Sequence, residues 1–135
     1  MMLEEQLRKY WFFNYSGGFS VKKKTRSVLE SLNYASEILD DNGNMLLLFP
    51  QGEIQSAYRS SFVFEKGTER ILSGKAGRVQ VVFMAALTDY FSSPKPGVWF
   101  YMEEFKGSLT SGPAIQKGYN DFYSNIINKH IQTPV

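Results

Sequence analysis

Two apolar runs of strand length, Met45–Phe49 and Val79–Leu87, dominate the hydrophobic pattern of the chain. Gln80 apart, each is apolar on both faces, as expected of strands buried in a parallel sheet between helices. A third run, Val98–Met102, continues to Phe105. Elsewhere the period lengthens to that of amphipathic helices. The segment Arg26–Asp40 brings Leu29, Leu32, Ala35/Ser36 and Leu39 to one face, with Thr25 as N-cap and Asn42-Gly43 as stop. After Pro113, suited to a first helical turn, Ala114–Lys129 turns Ile115, Tyr119, Phe122/Tyr123 and Ile126 inward. Shorter helices are predicted over Leu3–Phe12 and Thr68–Leu72, and a short strand over Phe19–Val21. Thr88–Gly97, with two prolines, reads as a loop. The alternation predicts a single α/β domain whose sheet is mostly parallel and flanked by helices.

Pro50 ends the first run because proline has no N–H for a ladder, and Gly52 closes a tight turn. A polar loop, Gln51–Ser60, therefore leaves the carboxyl end of a predicted strand, where open α/β sheets bind ligands. The run Lys22–Arg26 holds four of the fifteen basic residues and precedes a helix N-terminus, a setting that suits an anion; a solvated basic loop is the plainer alternative. The cluster Trp11–Tyr15 is read as core, with a membrane interface as the other option.

Composition narrows the field. The 135 residues carry a net charge of +2, too small to imply nucleic acid, and no recognisable nucleic-acid module is present. There is no cysteine, hence no disulfide framework or thiolate chemistry. No apolar run approaches the roughly 20 residues needed to span a bilayer. A cytoplasmic location is expected, with peripheral contact at the inner membrane face left open. Gly-Lys-Ser/Thr phosphate loops, Gly-x-Ser-x-Gly elbows and paired metal ligands are all missing. The single histidine, His130, lies near the chain end and is expected at the surface.

The blocks Phe49-Pro50-Gln51-Gly52 with Ser56, then Phe64-Glu65-Lys66-Gly67, then an apolar strand, resemble the glycerolipid acyltransferases, the lysophosphatidate and glycerol-phosphate superfamily. Gly17, Phe19, Val21 and Lys23 match an upstream Gly-x-Phe-x-Val-x-Arg-like block. The resemblance spans about residues 17–87. Departures accompany it. The family's Phe-Pro-Glu-Gly-Thr-Arg-Ser block has Gln51 for its glutamate, Glu53 for its threonine, and Ile54 or Gln55 for its arginine. Lys23 keeps the charge of an arginine without its bidentate fork. Gln80 and Phe83 stand where the last block has prolines.

The family's catalytic His-x4-Asp pair has no counterpart. The resemblance therefore implies the carboxyl-side part of the fold, without an N-terminal strand and helix. It implies an acyltransferase in the full-length form, moving an acyl group from acyl carrier protein or coenzyme A to a glycerophosphate or related lipid hydroxyl. No resident cofactor or metal is implied. Acceptor binding would fall to Lys23, Pro50, Gln51, Gly52, Glu53, Gln55, Ser56, Lys66 and Gly67. A non-catalytic lipid or acyl-chain binding module is the alternative. A domain lacking those elements would expose a sheet edge or apolar face, so a homo-oligomer is expected.

Overall fold

The computed structural model describes residues 2–3, 10–15, 20–21, 25–53 and 55–132. Its elements in order are β1 (Met2–Leu3), a 3₁₀ turn (Trp11–Asn14), β2 (Ser20–Val21), α1 (Thr25–Ile38), α2 (Thr68–Ile71), β3 (Val81–Asp89), β4 (Gly97–Phe105) and α3 (Gly112–Ile131). Helices and strands thus share one chain, as expected. The sheet does not follow the expectation. β3 and β4 form an antiparallel ladder from Val81↔Phe105 to Asp89↔Gly97, and the one described parallel pair, β1–β2, is two residues long. The reason lies in the connection, residues 90–96. Parallel neighbours need a crossover of a dozen residues or more, and seven suffice only for a hairpin.

α3 supports the inner face of this hairpin. Ser111 caps it, its Oγ accepting the Ala114 N–H at 3.3 Å, and Pro113 occupies the first turn. Ile115, Phe122, Tyr123 and Ile126 pack against Phe83, Ala85 and Leu87 of β3, together with Phe62 and Leu72. The rings of Phe83 and Phe105 lie 4.9 Å apart, and those of Phe62 and Tyr123 4.8 Å apart in an edge-on arrangement that favours aromatic pairs. The alternate residues of β3 turn outward, so this strand is buried on one face only.

A second cluster joins Leu32 and Ala35 of α1 to Ile71 of α2. The inner stripe of α1 runs through the partly buried Val28 and the buried Leu32 and Ala35, with Leu39 just past the helix end continuing it, while Leu29, expected inside, is exposed. Asn44 closes the helix by donating from Nδ2 to the Ile38 carbonyl at 3.0 Å. Lys75, 6% exposed, bridges the two clusters through its ion pair with Asp40 at the end of α1. That hydrogen bond holds the Asp40 carboxyl below its usual range.

Among the described residues, Met45–Phe49 enters no ladder. Leu46 and Leu48 reach the α1 cluster, whereas Leu47 and Phe49 are exposed and Met45 is 90% exposed. Burial alternates along the segment as it does along a strand with one covered side. The aromatic segment is likewise exposed at Trp11, Phe12 and Tyr15 instead of in a core. Its rings pack on one another, Trp11 edge-on to Tyr15 at 5.8 Å. The helix predicted over Leu3–Phe12 falls largely outside the described residues; at its two ends the chain is strand and 3₁₀ turn. Among the described residues, no helix is long and apolar enough to cross a membrane.

Candidate functional site

The loop after Phe49 and the Glu65–Gly67 turn meet. The Gly52 N–H donates to the Phe49 carbonyl at 3.2 Å, closing the turn after Pro50, and the Glu65 N–H donates to the Pro50 carbonyl at 2.7 Å. Gly52 has a φ of +67°, and a Cβ there would lie 2.8 Å from Glu65 Cγ. Only glycine therefore lets these two segments touch. Gly67, at φ +125°, approaches α1 just as closely: a Cβ would lie 2.7 Å from Leu32 Cδ1. Its N–H points to Glu69 Oε2 at 3.4 Å. Two glycines thus fix one junction, by the turn and by the helix.

The other expected site residues divide into two groups. Pro50, Gln51, Gly52, Lys66 and Gly67 share the junction, with Gln51 half-buried and Lys66 exposed. Glu53, Gln55 and Ser56 bond within their own loop. Gln55 Nε2 donates to Glu53 Oε1 at 2.9 Å, and Ser56 Oγ accepts the Tyr58 N–H at 3.2 Å. Gln55 Oε1 is buried with no hydrogen-bond partner. Lys23 lies outside the described residues. The junction is not markedly basic, since Glu65 stands against Gly52 and Lys66 is its adjacent cation. A shallow cleft of about 300 Å³ lies elsewhere, between residues 76–81 and 104–110, and none of the expected site residues lines it.

What holds the loop in place was not foreseen. α3 presents Gln116, Asn120 and Tyr123 along one stripe. Asn120 Oδ1 accepts the Phe62 N–H at 2.8 Å, and Asn120 Nδ2 donates to the Phe62 carbonyl at 3.0 Å. Gln116 Oε1 accepts the Phe64 N–H at 2.8 Å, and the Tyr123 hydroxyl donates to the Ala57 carbonyl. Helix neighbours at i and i+4 sit about 5–6 Å apart, close to the two-residue repeat of an extended chain. Two side-chain amides thereby do for residues 61–65 what a neighbouring strand would do. The available signal was a pair of amides four residues apart, beside the apolar stripe.

His130 corrects a second expectation. It is 7% exposed rather than at the surface. Its Nδ1 shares a 2.8 Å hydrogen bond with the Tyr101 hydroxyl, and its Nε2 faces Asp89 Oδ2 at 3.5 Å. The rings of Phe91, Trp99 and Tyr101 surround it at 5.1, 5.6 and 5.8 Å. Asp89 accepts the backbone N–H groups of Phe91 and Tyr90, and these bonds, the Phe91 one first, hold its carboxyl below the usual range, with His130 adding to the effect. The cluster fastens the end of α3 to the loop end of the hairpin. Among the described residues, no group of three or more histidine, aspartate or glutamate side chains is arranged to hold a metal ion.

Compared with known proteins, the chain matches no family model, no curated protein and no solved structure.

Proposed function

We propose that this chain is the acceptor-binding, carboxyl-side part of an acyltransferase-type domain of the glycerolipid class. The observation that supports this reading best is the Glu65 N–H to Pro50 carbonyl bond. It joins the two sequence blocks that carry the family resemblance, with Gly52 and Gly67 as the contacts that need glycine. The Gly52 and Glu65 N–H groups are engaged within the junction, so the exposed Lys66 ammonium is the donor on offer to an acceptor's phosphate or polar head. Lys23 joins it by resemblance.

In the full-length form a histidine would take the proton of the acceptor hydroxyl, oriented by an aspartate. The oxygen would attack the thioester carbonyl of acyl carrier protein or coenzyme A and expel the thiol, which receives the proton. The family's His-x4-Asp pair has no counterpart in this sequence, and the sole histidine, His130, is buried with its Nδ1 bonded to the Tyr101 hydroxyl and its Nε2 3.5 Å from Asp89 Oδ2 without a hydrogen bond. A cytoplasmic site with peripheral contact at the inner membrane face fits such a substrate.

The test is acyl transfer to glycerol 3-phosphate or lysophosphatidate. The 135-residue chain alone is expected to give none, and fusion of an upstream segment bearing His-x4-Asp is expected to give turnover. Turnover by the chain alone would remove the assignment of the base. The second reading, a non-catalytic lipid-binding module, is favoured by Gln51, which lacks the charge of the family's glutamate. It predicts calorimetric binding of lysophosphatidate that weakens in Lys23→Ala, without turnover in any form. Absence of binding in both proteins counts against it.

A further inference from the structure

The outer face of the β3–β4 hairpin is apolar and uncovered. Val82 and Val98 are about half exposed, Met84 is 37% exposed, and Phe100 and Met102 are 63% and 64% exposed. We propose that this face binds the same face of a second copy of the chain, forming a twofold dimer of packed sheets.

The register supports a like partner. Outward residues pair across the hairpin as Met84↔Met102 and Ala86↔Phe100. A twofold axis running parallel to the strands, in the plane between two such faces, lays β3 of one copy over β4 of the other. Each residue then meets the cross-strand neighbour of its own counterpart. Phe100 of each copy faces Ala86 of the other, a large ring over the smallest side chain of the face, and Met84 faces Met102. The same hairpin thus carries both the projection and the recess that receives it, which an isologous interface requires. Facing sheets pack about 10 Å apart, a gap that side chains of this size fill.

Area and charge agree with this occupant. The five exposed side chains offer on the order of 500 Å² per chain, so a pair that covered them fully would bury about 1,000 Å², the threshold for a specific interface. The single charged residue facing outward on the ladder is Glu104, at its end, with Lys106 at 3.9 Å. A lipid surface would instead be met by a basic rim. By the same cross-strand rule Val82 of each copy meets Glu104 of the other at the end of the ladder, so the carboxylates lie at the rim and the centre of the contact carries no charge.

Sedimentation of the full chain as a function of concentration tests the proposal. The wild type is expected to be dimeric at tens of micromolar, and Phe100→Asp to weaken association by about 100-fold or more, as loss of a central anchor does. Ala86→Phe fills the recess and is expected to give monomer, whereas Ala86→Phe combined with Phe100→Ala exchanges projection and recess and restores the dimer. These positions face solvent in the single chain, so circular dichroism should show each variant folded. A variant that unfolds is replaced by Met102→Lys, with monomer expected. A monomeric wild type throughout, or a dimer that survives both Phe100→Asp and Met102→Lys, overturns the proposal. So does a monomer that binds phosphatidylcholine vesicles through Phe100, because the face would then serve a lipid surface.

Discussion

Replacing Asn120 by alanine isolates the clamp that α3 places on the loop. Its amide satisfies both the N–H and the carbonyl of Phe62, at 2.8 and 3.0 Å, beside a side chain buried in the main core. Truncation leaves two partly buried backbone groups without partners. Each costs about 1–1.5 kcal/mol, since water reaches the region in part, for a total of roughly 2–3 kcal/mol. For a chain of this size that corresponds to a fall in melting temperature of about 3–5 °C per kcal/mol. Gln116→Ala removes one acceptor, that of the Phe64 N–H, and should cost about 1 kcal/mol. Urea unfolding gives the energies, and amide exchange at Phe62 and Phe64 locates them: Asn120→Ala should deprotect Phe62 first. A loss under about 0.5 kcal/mol, with Phe62 exchange unchanged, would show that the segment is held by its buried rings and that the amide bonds add nothing.

Three further outcomes follow from the same geometry. Gly67→Ala should destabilise by about 2–3 kcal/mol, combining strain at φ +125° with the 2.7 Å approach to Leu32, whereas Gly74→Ala, at φ +71° with open space around it, should cost about 1 kcal/mol; urea midpoints compare the two. The depressed carboxyls of Asp40 and Asp89 contribute stability that is complete above the ordinary value of 3.8 and is lost as pH falls through their lower folded values. Asp40→Asn should therefore flatten the acid limb of a stability–pH curve, and an unchanged limb would show that the Lys75 pair is energetically silent. His130→Ala should cost about 2–3 kcal/mol through the cavity left among the rings of Phe91, Trp99 and Tyr101, and should shift Trp99 fluorescence.

The helices over 25–38, 68–71 and 112–131 were legible because their spacing is strong and their punctuation local, whereas the one predicted over Leu3–Phe12 has strand and 3₁₀ turn at its described ends. Pro113 and the 114–129 stripe led directly to α3, and Leu32 and Ala35 to the buried side of α1. Strand partners were not legible. Val79–Leu87 and Met45–Phe49 look alike as apolar runs, yet one entered an antiparallel hairpin and the other has no ladder partner among the described residues. Pairing depends on what the connections can span, and continuous apolarity does not report it. The site was legible in part. Gly52 and Gly67 stood out as turn glycines, and the structure places both at close contacts. The roles of Gln116, Asn120 and His130 depend on neighbours 29 to 58 positions away in sequence, which no local pattern carries.

The outward pair Met84 and Met102 has a chemical consequence of its own. A chain without cysteine has no thiol to intercept peroxide, so mild oxidation falls on its exposed thioethers. Conversion of either methionine to its sulfoxide would set a strong dipole in the middle of the apolar hairpin face, opposite an identical position on the neighbouring strand. The change is reversible by enzymatic reduction, so the hydrophobic character of that face would follow the redox state around the protein.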